Sequence, residues 1–370
     1  MKKLLFIVNV DWFFLSHRLP IAVEAIKQGF DVHLACSITE KKMELEAYGI
    51  TIHPLMISRS GTSILNEIKS LKQVYTVVNS IKPDIIHTVT IKPVLYGNIV
   101  SRWLKVPTRI SSISGLGYVF ISTGLKSKAF KLIISLLYRI ALHGANKVIF
   151  QNNADLNVIK NMGAITPQQV QIIRGSGVNL TQYSFVKEPT KDPVVMLVAR
   201  LLIDKGVREF VAAAKLLKLN RPDIRMVLIG DIDLGNPNTI TREELTDWCL
   251  DNTIEHWGYS KDIPATMAQA NIIVLPSYRE GLPKSLIEAA ACGRAVITTD
   301  VPGCRDAIEP DKTGLLIPVK TYKPLAAAIL TLVNNPSMRS QFSTRARELA
   351  EESFDIQDVV YKHLTIYKKI

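Results

Sequence analysis

Short apolar, β-branched runs alternate with stretches of helical period along the whole chain. In the first half KLLFIVNV, FDVHLAC, TIHPLMI, DIIHTV, TRISSIS and NKVIFQ read as strands. Each is brief and bounded by polar, Gly or Pro residues, the pattern of buried strands. Between them HRLPIAVEAIKQG stops at Gly29, ILNEIKSLKQVYTVVNSIKP breaks at Pro83, and PVLYGNIVSRWLK forms a third helix. The second half restarts the rhythm. PVVMLVARL, IRMVLIGD, IEHWGY, NIIVLPS, AVITTD and GLLIPV are its strands. VREFVAAAKLLKLN, REELTDWCLDN, IPATMAQA and KSLIEAAACG are its helices, with further helices from Tyr322 and Ser337. Strands that are apolar throughout, rather than alternating, belong to parallel sheets covered on both faces. The expected fold class is therefore α/β, with two doubly wound, Rossmann-like domains facing a central cleft. The Pro- and charge-rich segment YSFVKEPTKDPV places the boundary at 187/188, giving domains 1–187 and 188–353. The last helix, about residues 354–370, is expected to pack back on the first domain.

Charge changes this picture more than composition does. Residues 1–185 hold 21 Lys+Arg against 9 Asp+Glu, so the whole excess of +12 lies there, and residues 186–370 carry 24 of each sign. No acid occurs between Asp84 and Asp155, where nine basic residues do. Such asymmetry points to an anionic partner: a nucleic acid, a membrane or a phosphorylated ligand. Cys36, Cys249, Cys292 and Cys304 form no CxxC pair and read as free thiols in a reducing compartment. The opening MKKLLFIVNVDWFF imitates a signal peptide, but Asp11 interrupts it and no small-residue cleavage site follows. No stretch approaches the roughly 20 apolar residues of a membrane span.

In open parallel sheets ligands bind beyond the carboxyl ends of the strands, so the strand-end loops carry the chemistry. VARLLIDKG places Arg200 and Lys205 at one strand end, a planar fork and a point charge suited to a diphosphate. EGLPKSLIE follows another. Pro283 fits the first turn of the helix that begins there, and the amides around Gly281–Lys284 are left to hold an anion. Glu280 and Glu288 bracket those amides as acceptors for hydroxyls. A phosphate flanked by hydroxyls on both sides describes a sugar nucleotide.

In the first half Asp11, His17 and Arg18 occupy or follow the loop after the first strand. His17 could orient or deprotonate an acceptor hydroxyl, and Arg18 could meet a phosphate, or Ser16 could cap a helix start. His87 is a further strand-end candidate, either for an acceptor or as a satisfied core histidine. Ser176, Gly177 and Asn179 precede the linker as a hinge or a donor contact. LKSKAFKLIISLLYRIALHGANK sets Lys126, Lys128, Lys131 and Arg139 among large apolar residues, as an interfacial helix on an anionic membrane does. The first strand leads into NVDWFF rather than GxGxxG, which argues against a dehydrogenase. The basic half lacks interleaved stacking aromatics, which argues against a nucleic-acid partner.

VARLLIDKG, EHWGYSKDIPATMAQANIIVLPSYREGLPKSLIEAAACGRAVITTDVPGCRDAI and TGLLIPV together resemble retaining glycosyltransferase family 4, of GT-B fold. Glu280 and Glu288 match that family's E-x7-E pair. The resemblance implies that Glu288 binds the ribose, Glu280 contacts the donor hexose, and Arg200 and Lys205 hold the diphosphate and neutralise the leaving nucleotide. It extends donor binding to Gly281, Leu282, Pro283, Lys284, Ser285, Gly230, Asp231, Gly177, Ser114 and Gly115. Ser114 stands in SISGLGY where many members carry a histidine. GDIDLGNP replaces their commoner short Gly-rich turn. VNVDWFFLSHRLPIA, SGLGYVF and IGDIDLGNP resemble a narrower branch, the capsule, O-antigen and N-glycan-precursor transferases acting on undecaprenyl-diphosphate-linked sugars. The expected activity is α-retaining transfer of a hexose, an N-acetylhexosamine such as GalNAc, from a UDP-sugar to such an acceptor. The expected location is the cytoplasmic face of a bacterial inner membrane. No cofactor and no metal are expected, although Asp231 and Asp233 have DxD spacing. The alternative is a UDP-sugar 2-epimerase of the same fold.

Overall fold

A computed structural model describes residues 1–57, 64–116 and 125–369, the side chains of residues 64 and 125–130 excepted. The chain divides into two units, Met1–Ser176 with Ile356–Ile370, and Gly177–Asp355.

The first unit opens with β1 (Lys3–Val10), α1 (Asp11–His17), α2 (Leu19–Lys27), β2 (Asp31–Ser37), α3 (Lys42–Glu46) and β3 (Thr51–Pro54). It continues with α4 (Ile64–Ile81), β4 (Ile85–Val89), α5 (Ile91–Trp103), β5 (Thr108–Ile113), α6 (Leu125–Leu142), β6 (Lys147–Phe150), α7 (Asn153–Asn161) and β7 (Val170–Ile172). The strands form one parallel sheet in the order β3-β2-β1-β4-β5-β6-β7. Leu4, Leu5, Phe6, Ile7 and Val8 are all fully buried. Leu4, Phe6 and Val8 join the core beneath α2, while Leu5 and Ile7 join the opposite core beneath α4. That two-sided burial explains why β1 is apolar throughout.

The second unit has β8 (Val194–Val198), α8 (Val207–Lys218), β9 (Arg225–Ile229), α9 (Arg242–Leu250), β10 (Glu255–Gly258), α10 (Ile263–Ala268) and β11 (Ile272–Leu275). Then come α11 (Lys284–Ala291), β12 (Ala295–Thr299), β13 (Gly314–Ile317), α12 (Tyr322–Val333) and α13 (Pro336–Ser353). Its parallel sheet runs β10-β9-β8-β11-β12-β13. The chain then returns to the first unit in α14 (Ile356–Lys369). There Val359, Val360, Leu364 and Tyr367 pack with Ile21 and Phe30. Each such buried side chain contributes about 1.5–3 kcal/mol.

Strand order reverses between β1 and β4 in one unit and between β8 and β11 in the other. At such a switch point neighbouring strands send their connections to opposite faces and leave a crevice. VARLLIDKG and YREGLP leave the strands on either side of the second switch point.

Three expectations need correction. The division falls at 176/177, before 187/188, because Val178 and Tyr183 already belong to the second unit's core and the Val178 amide bonds the Phe354 carbonyl at 2.8 Å. Composition marks the exposed part of that segment and misses its anchored start. No loop follows β1: α1 begins at Asp11, so Ser16 lies inside a helix, its hydroxyl on the Phe13 carbonyl, and caps nothing. β7, α3 and α7 carry too few apolar residues to show in the pattern; α7 is started by Asn152, whose side chain accepts from the Asp155 amide at 2.7 Å.

The face of the first sheet under α14 buries two imidazoles. His87 is hydrogen-bonded through Nδ1 to the Tyr367 hydroxyl (2.6 Å) and through Nε2 to Ser112 (2.7 Å). His363 donates Nδ1–H to the Val359 carbonyl at 2.8 Å. Burial lowers both pKa values, that of His363 to about 3. Both rings are thus neutral in the fold and charge only on unfolding. The share of His363 is whole above the unfolded value of about 6.5 and is lost as pH falls toward about 3, by about 1.4 kcal/mol per pH unit, and that of His87 is lost in the same direction. Thermal melts at about pH 7.5 and 5.5 should show this decline, and His363→Gln should flatten it. A wild-type melting temperature equal at both values would contradict the assignment.

Candidate active site

The donor-type site is built from three loops at the carboxyl edge of the second sheet. After β8 the chain passes Arg200 and makes a tight turn, Ile203–Lys205, closed by Gly206 at φ +75°. A Cβ on Gly206 would lie 2.2 Å from the Pro276 carbonyl oxygen, so only glycine permits this approach. The Asp204 carbonyl then accepts from the Tyr278 amide (2.9 Å) and from the Ser277 hydroxyl (3.0 Å). The third loop follows β12. The Glu280 amide donates to the Pro302 carbonyl at 3.2 Å, and Gly303, at φ +82°, has its Cα where a Cβ would strike Glu280's own carbonyl at 2.4 Å.

This packing brings Lys205 onto Glu280. The Lys205 ammonium donates to Glu280 Oε1, and the Ser277 hydroxyl, whose one proton is shared with the Asp204 carbonyl, reaches the same oxygen at the shorter distance of 2.7 Å. Asp204 lies beside them; burial raises its pKa and the Lys205 charge opposes that rise. Arg200 pairs with Asp233 at 2.6 Å. Both cations expected at a diphosphate are thus already matched by carboxylates. Asp233 is held by this pair, and Asp231 is exposed, its carbonyl accepting from the Leu201 amide at 3.0 Å. Among the described residues no three His, Cys, Asp or Glu side chains gather as a metal site. Gly230 supports the same edge, pressed so close to Ala199 that a Cβ would fall 2.0 Å from its carbonyl oxygen.

Pro283 is the N-cap of α11, extended at φ −70° and ψ 124°, and the helix proper begins at Lys284. The expectation of Pro283 in the first turn is thus off by one residue, since its ψ is not helical. Gly281, Leu282 and Pro283 are buried, and the Leu282 side chain is drawn into the core. No side chain caps the helix start, so its first amides, those of Lys284 and Ser285, are offered outward. Glu288, one turn in, is 6% exposed. Its Oε1 accepts from the Tyr183 hydroxyl at 2.6 Å and is ion-paired with Lys284 Nζ at 3.2 Å. Tyr183 and Ser277 were not legible beforehand, nor was Asp233 as the partner of Arg200 rather than half of a DxD pair, because each meets its partner only through the fold.

Gly177 is the buried first residue of the second unit, at φ +76°. In the first unit the acceptor candidates separate. Asp11 is fully buried and holds the loop after β2, accepting from the Thr39 amide (2.7 Å), the Thr39 hydroxyl (2.8 Å) and the Lys41 amide (3.2 Å). Arg18 is 2% exposed, donating to the His17 carbonyl and to Ser114 Oγ at 3.1 Å; burial lowers its pKa to about 10. His87 is the core histidine described above. These three expected ligand contacts are therefore corrected: desolvation has turned each side chain to internal partners. His17 alone of the four is partly exposed, stacked on Phe13 at 4.2 Å. Ser114 and Gly115 follow β5 and are partly exposed. The Lys126 and Lys128 side chains, and residues 117–120 of SGLGYVF, lie outside the described residues. Lys131 is partly exposed and Arg139 exposed, its Nε on the Met162 carbonyl.

Two family descriptions cover most of the chain: "Glycosyl transferase 4-like" matches residues 3–152 and "Glycosyl transferases group 1" matches residues 181–349. The chain is similar to the N,N'-diacetylbacillosaminyl-diphospho-undecaprenol alpha-1,3-N-acetylgalactosaminyltransferase of Campylobacter jejuni, at 28% identity over 96% of this chain and 98% of the relative. It is similar to the UDP-Gal:alpha-D-GlcNAc-diphosphoundecaprenol alpha-1,3-galactosyltransferase of Escherichia coli, at 26% identity over 91% of this chain and 89% of the relative. These relatives give the epimerase alternative no support. Anabaena HepE in complex with UDP and glucose superposes with a TM-score of 0.80 at 18% identity, each chain fully covered, and shows the same fold. The chain is a glycosyltransferase of GT-B fold, its first domain of the 4-like family and its second of group 1.

Proposed function

We propose that this glycosyltransferase moves an N-acetylhexosamine, GalNAc first among them, from UDP to an undecaprenyl-diphosphate-linked saccharide, with an α bond and retention at the anomeric carbon. The observation that carries the reading is the grouping at the β8/β11 edge. Arg200 and Lys205 stand beside the uncapped start of α11, with Glu280 before it and Glu288 within it. The names of the C. jejuni and E. coli relatives supply the substrate class.

In this reading the diphosphate sits at the amides of Lys284 and Ser285, with Arg200 and Lys205 beside it, each held in place by its carboxylate partner. As the glycosidic bond breaks, negative charge grows on the departing UDP, and fixed cations and amides stabilise it without reorganising. Glu280 takes hydroxyls of the hexose and Glu288 those of the ribose. The acceptor hydroxyl attacks from the face the nucleotide leaves, and no enzyme carboxylate bonds to the sugar. The fixed cations stand in for a metal ion. The acceptor belongs to the first unit, where His17 is the candidate to orient its hydroxyl.

The same reading sets the protein on an anionic membrane surface, at the cytoplasmic face of the bacterial inner membrane. On α6, Leu132, Ile133, Leu136 and Ile140 are all exposed beside Lys131 and Arg139, in the acid-free part of the chain. Such a mixed face suits the headgroup boundary. Among the described residues no helix is long and apolar enough to cross a membrane.

Lys205→Ala and Glu280→Gln should each lower kcat by about 10²–10³, the usual cost of losing one preorganised electrostatic group. The assay is transfer from UDP-GalNAc to a synthetic undecaprenyl-diphosphate saccharide, with melting temperatures as the control on folding. Near-normal turnover in both variants, or release of an epimerised UDP-sugar without acceptor, would sink the proposal. Replacing Lys126, Lys128, Lys131 and Arg139 by Glu should weaken cosedimentation with phosphatidylglycerol vesicles by at least about a hundredfold, each basic residue near such a surface being worth about 1 kcal/mol. Undiminished binding would remove α6 from the membrane face.

A further inference from the structure

The segment that enters the second unit carries a residue with no assigned role in the chemistry. Tyr183 is 7% exposed and packs in the core that also holds Leu286, Ala289 and Cys292. Its main chain is fixed independently: Arg347 donates to the Tyr183 carbonyl (2.8 Å) and to the Ala291 carbonyl at the end of α11 (2.9 Å). The ring is therefore held against the helix that bears Glu288, and its hydroxyl meets Glu288 Oε1 at 2.6 Å.

We infer that Tyr183 is a positioning residue for the donor carboxylate: its hydroxyl ties down Oε1 of Glu288 and leaves Oε2 as the acceptor for a ribose hydroxyl. The inference rests on the reading of Glu288 as the ribose acceptor. A glutamate's terminal torsion is broad, so an untethered carboxylate spreads its two oxygens over many directions. A short hydroxyl–carboxylate bond is charge-assisted and removes that freedom. Lys284 reinforces the same oxygen at 3.2 Å, and Oε2 takes no hydrogen bond among the described residues. Burial, joined by the nearby Glu288 charge, pushes the Tyr183 phenol far above its ordinary value, so it remains a donor throughout the working range. Phenylalanine at this place would keep the packing and lose only the donor.

The test is a double-mutant cycle of Tyr183→Phe and Glu288→Gln on the full-length protein. Calorimetric affinities for UDP, 2′-deoxy-UDP and 3′-deoxy-UDP are read with donor KM and kcat. Tyr183→Phe should weaken UDP by about tenfold, the scale of a hydrogen bond to a charged group. It should also shrink the preference for UDP over the deoxy analogue that the wild type discriminates most. KM should rise with it while kcat stays within about twofold, and in the Glu288→Gln background the second change should add little, since coupled residues do not act additively. A merely structural tyrosine would weaken all three nucleotides equally and leave the preference intact, which would overturn the inference. If Glu288→Gln itself left the ribose preference unchanged, the ribose reading would fall and the inference with it. If Glu288→Gln abolished the preference and Tyr183→Phe preserved it, only the role of Tyr183 would fall. Should Tyr183→Phe melt well below the wild type, Lys284→Met removes the other partner of Oε1. It must reduce the same preference, and no change would count against the tethered oxygen.

Discussion

The Asp204 carbonyl oxygen accepts from the Tyr278 amide of the loop after β11, and the Ser277 hydroxyl of the same loop lies 3.0 Å from it, its one proton shared with Glu280 Oε1. The amide hydrogen bond contributes on the order of 1 kcal/mol net, yet the geometric effect of these contacts is larger than that. They join the two loops that leave β8 and β11, the strands between which the sheet order reverses. Gly206 makes the closeness possible, since any side chain there would strike the Pro276 carbonyl. Once the loops are joined, Lys205 has Glu280 within reach, and Glu280 is in turn held by the loop after β12. The two halves of the cation–acid pair are 75 residues apart in sequence and meet because one carbonyl is shared.

The donor site is electrically matched before a ligand arrives. Arg200 pairs with Asp233, Lys205 with Glu280 and Lys284 with Glu288. Partly buried pairs of this kind are weak contributors to stability, because desolvation offsets most of the attraction. Their value lies in placement: each pair fixes a cation at the strand edge or at the start of α11. The second half of the chain holds equal numbers of acids and bases, and the first half the whole positive excess.

The two parallel, doubly wound sheets and the E-x7-E loop were legible because both rest on local signals: apolar runs, a glycine, a proline and a spacing. What was not legible rests on direction and distance. Asp11, Arg18 and His87 stand at a strand end or a helix start in sequence, which is where ligand contacts stand. Only the fold shows that Asp11 turns back to the Thr39 and Lys41 amides, Arg18 to Ser114, and His87 to Tyr367, 280 residues away. The boundary was misplaced for a related reason. A charged, proline-rich stretch marks where the chain is exposed, whereas Val178 and Tyr183 fix where the second core begins. Tyr183 reads as the first residue of a linker until Glu288, 105 residues on, is set beside it.

The two glutamates share one design that neither spacing nor composition would suggest. Glu280 Oε1 takes the Lys205 ammonium and the Ser277 hydroxyl; Glu288 Oε1 takes the Lys284 ammonium and the Tyr183 hydroxyl. In each case a cation and a hydroxyl converge on one oxygen, and the second oxygen has no partner among the described residues. The cation sits against the carboxylate's charge, and the hydroxyl fixes its plane. A sugar hydroxyl is recognised by an acceptor whose direction is settled in advance, because the entropy of orienting it has already been spent in folding. Two acids tethered in this way on either side of an uncapped helix start define three points in a row: hydroxyl, phosphate, hydroxyl. A flexible acid at either end would bind the same groups with less discrimination among sugars, and discrimination is what a transferase in an ordered glycan assembly requires.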